Sequence, residues 1–417
     1  TTSMNIFFSG IGGVGIGALA QLAQDAGHTV LGSDVGESLM TKALIERDVM
    51  VSIKQDGHHL KSAHKKNPID WYVYTSALPE NHPELEAAKR LGVKCTKRDE
   101  LLKEIIAEKD LQLIAVSGTH GKTTTTGMLI WAMQQAGVPV SYSVGTTLSF
   151  GPSGKYEPGS KYFVYECDEF DRNFLQFDPY LSLITSIGYD HSDTYPTRDD
   201  YFAAFGQFVN QSAHAIGWQR DFAWLPKLPN EKLWQLQDNE ALDLHLAGEH
   251  NRRNGTLVLK ALEYLTLPHS AEMLNSFPGT NRRFEKLANN LYSDYGHHPT
   301  EIAATLQLAS ELSKNVILVY QPHQNSRQYE VKPLYRDAFV SATKVYWLPT
   351  YLSREDQSLP VLRPTELIEN VTNKGDIQLA DLNDDLWEAI EQHRMIGHLV
   401  LCMGAGSIDA WVRSHLS

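Results

Sequence analysis

A short glycine-rich loop carries the residues best suited to phosphate chemistry. Gly118 is followed by Thr-His-Gly and then by Lys122 and Thr123, between a predicted strand and a predicted helix. Such a loop directs backbone N–H groups and a helix N-terminus at phosphate oxygens. The Lys122 ammonium would contact the β- and γ-phosphates, and the Thr123 hydroxyl would bind Mg²⁺. Only two residues separate Gly118 from Gly121, fewer than in the general phosphate-loop pattern, so an ordinary glycine-rich turn remains the alternative.

Four acidic residues lie within the six residues from Glu166 to Asp171, at the end of another predicted strand. Four acids in so short a stretch cannot all be buried without partners, so a solvated acidic loop is one interpretation. Beside a phosphate loop, the same cluster indicates a Mg²⁺ site, because Mg²⁺ binds one or two carboxylates together with water and phosphate oxygens. Asp190 and His191 follow a further predicted strand and would add a ligand.

A second glycine-rich turn lies near the start of the chain. Gly10, Gly12 and Gly15 follow a predicted strand and precede a predicted helix, and Asp34 ends the next strand. This spacing is typical of dinucleotide binding and first suggests a NAD-dependent dehydrogenase. The same amides serve any nucleotide diphosphate, including a UDP-sugar, with the acidic residue accepting a hydrogen bond from a ribose or base donor.

Basic residues and histidines gather in the last third of the chain. They are Arg282-Arg283, the segment from Asp294 to His298, and Gln321-Pro-His323, each near a predicted strand or helix end. Binding sites of α/β proteins collect at such ends. Arginines there would neutralise a phosphoryl group during transfer, although each group taken singly is equally consistent with an ordinary surface.

Alternating apolar runs and helical patterns predict an α/β protein with mostly parallel sheets. Three domains are predicted, over residues 1–108, 109–276 and 277–417. The second opens with the strand LQLIAVSG, and the third contains a helix that starts at Pro299 and the apolar strands NVILVY, KVYWLP and HLVLCMG. The stretch from Ala223 to Leu246 is weakly patterned, and its elements are not predicted.

Composition narrows the class of protein. The chain has 417 residues, of which 42% are apolar and 21% charged, and this ordinary globular mixture can form several cores. No apolar run is long enough to span a membrane. The three cysteines are far apart and lack metal spacing, which favours the reduced cytoplasm. A net charge of −13 argues against nucleic acid or an anionic membrane surface as the main partner.

Taken together, these motifs resemble those of the Mur ligase family. The matching segments include GIGGVGIGALA, GTHGKTTTT, ECDEFD, GEHNRRN, DYGHHPTEI and GAGSI, in the family's order from residue 6 to residue 408. The resemblance implies an N-terminal Rossmann-like UDP-binding domain, a central phosphate-loop ATPase domain and a C-terminal Rossmann-like α/β domain. It also implies that these domains close when ATP binds.

The resemblance assigns roles to individual residues. The residues implied to bind the UDP-sugar are Gly12, Gly13, Val14, Gly15, Ser33, Asp34, His58, Ser76 and Arg98. The residues implied to bind ATP are Gly118, Thr119, His120, Gly121, Lys122, Thr123, Thr124, His250, Asn251, Asn254, Arg283 and Asp294. The implied Mg²⁺ ligands are Thr123, Glu166 and His191, and the implied catalytic residues are Lys122, Glu166, His191, Arg283 and His298. His323 and Arg327 would meet the incoming amino acid.

The implied activity is an ATP-dependent, ADP-forming ligation in peptidoglycan precursor synthesis. Within the family, the segments are most similar to those of ligases that join L-alanine to the carboxylate of UDP-N-acetylmuramate through an acyl phosphate. The implied protein is a cytoplasmic monomer or homodimer.

Four departures leave alternatives open. The segment between His191 and His250 is short for the family, Ser186-Ile-Gly188 replaces Asn-Ile-Glu, and Gln324 stands where the alanine ligases have an arginine. Phe170 replaces a small serine and is typical of the recycling ligase that adds the murein tripeptide to the same sugar. The alternatives are therefore this tripeptide ligase and a non-catalytic nucleotide-binding relative.

Overall fold

The computed structural model describes residues 2–188, 195–246, 248–280 and 283–416. It contains three sheets, of five, seven and six strands, in which parallel pairs predominate. Their strands are short apolar runs such as NIFFS and VILVY, which are buried along their whole length. Parallel strands covered on both faces require such continuous apolar sequence. The predicted three-domain α/β class is confirmed.

The first sheet has the strand order β3-β2-β1-β4-β5, with every pair parallel. Its elements are β1 (Asn5–Ser9), α1 (Val14–Asp25), β2 (Thr29–Ser33), α2 (Leu39–Ile45), β3 (Met50–Ser52), α3 (His58–Lys66), β4 (Trp71–Tyr74), α4 (Pro83–Arg90), β5 (Lys94–Lys97) and α5 (Arg98–Glu108). The chain leaves β1 toward one side and later returns on the other, so the turn after β1 lies at a topological switch point, where α/β sheets bind ligands.

The central sheet has the order β12-β11-β10-β6-β9-β7-β8, in which only the β7–β8 pair is antiparallel. Its elements are β6 (Gln112–Ser117), α6 (Lys122–Gln135), β7 (Val140–Ser143), β8 (Gly154–Lys155), β9 (Tyr162–Glu166), β10 (Leu181–Ile184), α7 (Arg198–Gln211), β11 (His214–Trp218), α8 (Gln219–Phe222), β12 (Leu233–Leu236), α9 (Glu249–Tyr264) and α10 (Glu272–Asn275). Because β6 lies between β9 and β10, the loops after these three strands meet at one edge. The weakly patterned stretch contains β12, which the sequence did not predict.

The third sheet has the order β13-β14-β18-β15-β16-β17, in which only β13 and β14 are antiparallel. Its elements are β13 (Glu285–Ala288), β14 (Leu291–Asp294), α11 (Pro299–Leu312), β15 (Val316–Tyr320), α12 (Asn325–Val331), β16 (Lys344–Trp347), α13 (Pro364–Leu367), β17 (Ile377–Leu379), α14 (Asp384–Met395), β18 (Leu399–Met403) and α15 (Ile408–Ser414). The predicted helix start at Pro299 is confirmed, since Pro299 occupies the first turn, where the absence of an N–H group leaves no helical hydrogen bond unmade.

The chain divides into two compact units. One comprises Thr1–Leu242 with Asn254–Phe277 and therefore contains the first two sheets, and the other comprises Asp243–Arg253 with Pro278–Ser417. The boundaries 1–108, 109–276 and 277–417 stay a prediction. Among the described helices, none combines the length and the apolar character that a membrane crossing needs.

Helix α1 packs against both sheets of the first unit. Gly154 in β8 lies so close to Ala18 that an added Cβ would overlap the Ala18 carbonyl. The amide of Gly154 donates to Gln21 Oε1 at 3.0 Å, and the amide of Tyr156 donates to Asp25 Oδ2 at 3.1 Å. The two sheets of this unit are thus joined by backbone packing as well as by a shared apolar core.

Candidate active site

The glycine-rich loop connects β6 to α6, as predicted. Gly118 and Gly121 have φ values of +147° and +87°, in the region that favours glycine. An added Cβ at Gly118 would also overlap the Thr185 hydroxyl. The loop is held by Ser186, whose carbonyl accepts from Thr119 N at 2.9 Å and whose hydroxyl accepts from His120 N at 3.1 Å. Glycine is therefore required here by both backbone conformation and space.

The first turn of α6 is arranged to receive an anion. Its N-cap residue is Gly121, and no side chain caps the helix there. The N–H groups of an uncapped first turn lack partners within the helix, and the helix dipole adds a partial positive charge. Asn254 lies beside Gly121, with its amide nitrogen 3.0 Å from the position of an added Cβ.

Lys122 is held in a buried, charge-compensated position. Its ammonium donates to the Gly118 carbonyl and to Glu169 Oε2, both at 2.8 Å, and Asp168 lies at 4.0 Å. Burial alone would lower the pKa of Lys122, but the carboxylates of Glu169 and Asp168 outweigh it and raise the pKa. The lysine therefore remains a cation, ready to contact a phosphate that approaches the loop. The sequence pattern predicts a metal site at these acids, and their pairing with Lys122 is a contact that it does not predict.

Glu166, at the end of β9, joins the loop to a neighbouring segment. One carboxylate oxygen accepts from the Thr123 hydroxyl, and the other accepts from the amide of Gly145. An added Cβ at Gly145 would overlap this carboxylate, so Gly145 is a further site residue, which the sequence pattern does not predict. Its distance of 21 residues from Glu166 left no local signal.

The donor set formed by Thr123 and Glu166 fits Mg²⁺. A hydroxyl and a carboxylate are hard oxygen ligands, and Mg²⁺ needs only one or two from the protein when phosphate and water supply the rest. Within the described residues no group of three or more His, Cys, Asp or Glu side chains could hold a metal. The third predicted ligand, His191, and its neighbour Asp190 lie outside the described residues.

Residues after β10 complete this edge of the central sheet. The Thr119 hydroxyl contacts the carbonyl and the amide of Gly188, each at 2.8 Å, and Tyr201 Oη at 2.9 Å. Tyr195 donates from its hydroxyl to the Glu169 carbonyl at 2.7 Å. The side chains around the loop are thus fixed by one another before a nucleotide enters.

The first glycine turn is organised by Asp34. Its Oδ2 accepts from Gly12 N at 2.6 Å and its Oδ1 accepts from Val35 N at 2.7 Å. Gly13 N donates to the Gly10 carbonyl at 3.0 Å. The amides of Gly12 and Gly13 are therefore used within the turn. The uncapped first turn of α1 is left to face a ligand.

Arg98 approaches the same turn from the start of α5. Its guanidinium lies against Gly15, where an added Cβ would overlap it. Gly15 and Arg98 line a small cavity together with Leu19, Leu102, Ser143 and Tyr165. The guanidinium also forms a salt bridge with Asp99, at 3.9 Å.

The other predicted sugar-site residues differ in exposure. His58 and Ser76 are exposed at the beginning of α3 and after β4. Ser33 is fully buried, and its hydroxyl donates to Glu84. Asp34 is partly exposed beside the turn.

In the second unit, Asp294 ends β14. It is buried and accepts from Phe284 N at 2.8 Å and from Gly296 N at 2.7 Å. Burial raises the pKa of Asp294 to about 6, and Arg283 opposes this rise. Arg283 pairs with Glu301 at 3.3 Å and lies 5.4 Å from the centre of the Tyr295 ring. Its neighbour Arg282 lies outside the described residues.

Aromatic and imidazole rings follow one another at the ends of β14 and β15. His323 lies 5.7 Å from His297 and stacks on Tyr351 at 5.7 Å with an interplanar angle of 8°. Burial lowers the pKa of both histidines, and the charge of Arg327 acts in the same direction. His298, by contrast, uses Nδ1 to accept from Thr300 N and so caps α11.

Two further predicted residues belong to the part of α9 in the second unit. Burial lowers the pKa of His250, and Asn251 is partly exposed. Their contact with a nucleotide stays a prediction.

Comparison with known proteins gives matches along the whole chain. Three family models match in order: the Mur ligase family catalytic domain at residues 5–110, the Mur ligase middle domain at 116–256, and the Mur ligase glutamate ligase domain at 282–406. A UDP-N-acetylmuramate–L-alanine ligase of Carboxydothermus hydrogenoformans is 31% identical over 97% of this chain and 94% of its own.

Two solved structures share the fold. A UDP-N-acetylmuramate–alanine ligase from Thermotoga maritima has a TM-score of 0.76 at 23% identity, covering 99% of this chain and 98% of its own. A murein peptide ligase from Psychrobacter arcticus has a TM-score of 0.64 at 23% identity over the same shares.

Proposed function

This chain belongs to the Mur ligase family, and on that premise we propose that it joins L-alanine to the carboxylate of UDP-N-acetylmuramate, forming ADP and phosphate. The proposal includes Mg²⁺ as the metal, a cytoplasmic monomer or homodimer, and domains over residues 1–108, 109–276 and 277–417. The observation that carries it is the group formed by Lys122, Thr123 and Glu166 around the glycine-rich loop.

The chemistry explains why such a loop is needed. A carboxylate is a poor electrophile, and its negative charge repels ATP. Attack of a carboxylate oxygen on the γ-phosphorus releases ADP and forms an acyl phosphate, whose phosphate is a good leaving group. The amine then attacks the acyl carbon, loses a proton and displaces phosphate, which leaves an amide.

Charge compensation is the main task of the protein in the first step. The Lys122 ammonium would leave Glu169 to contact the transferring phosphoryl group, and the α6 amides would bind the neighbouring phosphate oxygens. Thr123 and Glu166 would hold Mg²⁺. When bound, the metal neutralises phosphate charge and polarises the phosphorus–oxygen bonds.

The nucleotide of the sugar substrate is assigned to the first glycine turn. The open N–H groups at the start of α1 and the guanidinium of Arg98 are suited to a diphosphate. Because both glycine turns belong to one compact unit, the sugar carboxylate and ATP would be bound by a common scaffold.

For the amine substrate, the proposal rests on the ring cluster of the second unit. Arg327 supplies a cation next to His297 and His323, which suits the carboxylate of a free amino acid. The lowered pKa values of the two histidines leave them neutral at pH 7, so they do not repel an incoming ammonium group.

A second candidate is addition of the murein tripeptide to the same sugar. Phe170 favours it, because its side chain is 40% exposed in the acidic segment that also carries Glu166 and Glu169. The exposed ring of Phe170 would contact a longer amine substrate such as the tripeptide. With L-alanine as the substrate, the ring would remain exposed to water.

The test measures phosphate release with ATP, Mg²⁺ and UDP-N-acetylmuramate, with L-alanine, glycine, L-serine, the tripeptide or no amine. Release that requires L-alanine is the expected result. Release only with the tripeptide would replace the proposal by the second candidate. No release with any amine, despite ATP binding measured by calorimetry, would overturn both and favour a non-catalytic relative.

A further inference from the structure

A fully buried carboxylate lies under the first glycine turn, outside the residues assigned above. Glu84, the second residue of α4, has an exposed fraction of 0%. Its hydrogen-bond partners are hydroxyl groups rather than cations. Burial raises the pKa of Glu84, and hydrogen bonds from Ser33, Tyr72 and Ser9 oppose that rise. Burial of a carboxylate is unfavourable unless hydrogen bonds compensate for the lost hydration. The buried position of Glu84 therefore suggests that its hydrogen bonds hold neighbouring groups in place.

These hydroxyls come from the carboxyl ends and centre of neighbouring strands. Ser33 Oγ, at the end of β2, lies 2.9 Å from Glu84 Oε1 and 2.7 Å from Oε2. Tyr72 Oη, from β4, donates to Oε1 at 2.8 Å. Gln55 Nε2 donates to Ser33 Oγ at 3.2 Å and to Ser9 Oγ, at the end of β1, at 3.1 Å. The Glu84 carboxylate and its partners therefore connect β1, β2 and β4 near the glycine turn.

Ser33 connects this network to the turn itself. Its carbonyl accepts from Gly10 N at 2.8 Å and from Ile11 N at 3.0 Å. The next residue, Asp34, accepts from Gly12 N. Three successive amides of the turn are thus held by the dipeptide Ser33–Asp34. A shift of Ser33 would move the turn and, with it, the open amides at the start of α1.

We propose that Glu84 is a positioning residue for the UDP-sugar, acting through Ser33 on the glycine turn that binds the diphosphate. This inference rests on the proposed function for the identity of the sugar nucleotide. A carboxylate suits the position because it only accepts hydrogen bonds, and its neighbours Ser33 and Tyr72 both donate. A glutamine of the same size would direct N–H groups at one of them.

The first experiment compares Glu84→Gln with Glu86→Gln. Glu86 lies on the same helix but is 44% exposed and pairs with Arg90 at 3.6 Å, so it matches the chemical change without the buried network. E84Q is expected to raise the KM for UDP-N-acetylmuramate about 10-fold, as loss of a buried charged hydrogen-bond acceptor does. The KM for ATP and kcat should change less than about two-fold, and E86Q should match wild type. An E84Q enzyme with an unchanged KM for the sugar nucleotide would overturn the inference.

A second pair of variants tests the route through Ser33 and does not depend on E84Q folding. Ser33→Ala removes the hydroxyl that connects Ser33 to Glu84, and Tyr72→Phe removes another hydrogen bond to the same carboxylate. S33A should raise the KM for the sugar nucleotide as is expected for E84Q. If E84Q folds, the S33A/E84Q double variant should show little further rise. Y72F should lower thermal stability and leave that KM unchanged. Equal effects of S33A and Y72F on the KM would show that Glu84 stabilises the domain without positioning the turn.

Binding of UDP alone, measured by calorimetry, separates this inference from the proposed function. If wild type binds UDP but releases no phosphate with any amine, the proposed function fails. The comparison of UDP affinity between E84Q and E86Q still decides the role of Glu84, with about 10-fold weaker binding expected only for E84Q. A wild-type protein that binds no UDP would overturn the inference.

Discussion

The two glycine turns of the first unit share a local plan and differ in what surrounds them. Each connects the carboxyl end of a parallel strand inside its sheet to a helix. Each also leaves the first turn of that helix without a side-chain cap. Around the loop from Gly118 to Lys122, carboxylates from the acidic segment compensate a buried lysine. Around the turn from Gly10 to Gly15, Asp34 binds a backbone amide and Arg98 lies alongside. Under the proposed function, the same backbone arrangement would bind phosphate in both places, and the buried Lys122 of the loop after β6 would supply the charge for phosphoryl transfer.

Removal of Lys122 is expected to have the largest effect on the difference between the two turns. Lys122→Met keeps most of the length of the side chain and removes the charge that the transferring phosphoryl group requires. Phosphate release is expected to fall about 1,000-fold, since this charge acts mainly in the transition state. Binding of UDP by calorimetry should be unchanged. A K122M protein with more than about a tenth of wild-type turnover would contradict the role assigned to the loop.

Substitution of the first glycine of each turn by alanine is expected to reduce turnover less than the loss of Lys122 does. The reduction should also differ between the two turns. Gly118 has no room for a Cβ, whereas Gly10, with φ of +72°, has no heavy atom within 4 Å of that position. Gly118→Ala combines strain with overlap and should reduce turnover about 100-fold, or about 3 kcal/mol. Gly10→Ala involves the left-handed backbone alone and should cost about 1 kcal/mol of stability with nearly normal turnover. Unfolding and steady-state assays on both variants check this, and equal losses of turnover would refute it.

Substitution of Arg98 is expected to weaken binding of the sugar nucleotide and to leave ATP binding unchanged. Arg98→Ala is expected to raise the KM for UDP-N-acetylmuramate about 10-fold, through loss of a charge-assisted hydrogen bond, and to leave the KM for ATP unchanged. Gly15→Ala should act similarly, because the new methyl group displaces the guanidinium. The two changes should not add in the double variant. An effect of R98A on the KM for ATP alone would assign the arginine to the other nucleotide.

The smallest expected effect concerns helix capping beside the first turn. Ser38 caps α2 by accepting from Thr41 N at 3.1 Å and also donates to the Gly12 carbonyl at 3.1 Å. Ser38→Ala should cost about 1 kcal/mol of stability and raise the KM for the sugar nucleotide about two-fold. Thr197 caps α7 in a similar way and contacts Asp200 N, so Thr197→Ala is the matched control. T197A should lose similar stability in denaturant unfolding without a change in that KM.

Much of the fold and part of the site could be predicted from the sequence. The α/β class, the loop between β6 and α6, and the start of α11 at Pro299 follow from local patterns. The weakly patterned strand β12 did not, since it is an edge strand defined by pairing with β11. The partners of individual side chains were also missed. Glu169 lies 47 residues from Lys122, and Glu84 lies 51 residues from Ser33, and such pairs are fixed only by tertiary packing.

The contact between Gly154 and Ala18 has a consequence for the entropy of the reaction. Because α1 begins at the turn from Gly10 to Gly15 and packs against β8 of the central sheet, the two glycine turns belong to one compact unit. The relative orientation of two bound substrates is a large part of the barrier to joining them. Under the proposed function, folding would fix the relative orientation of the two nucleotide-binding turns, so the substrates would lose their orientational freedom on binding rather than at the transition state.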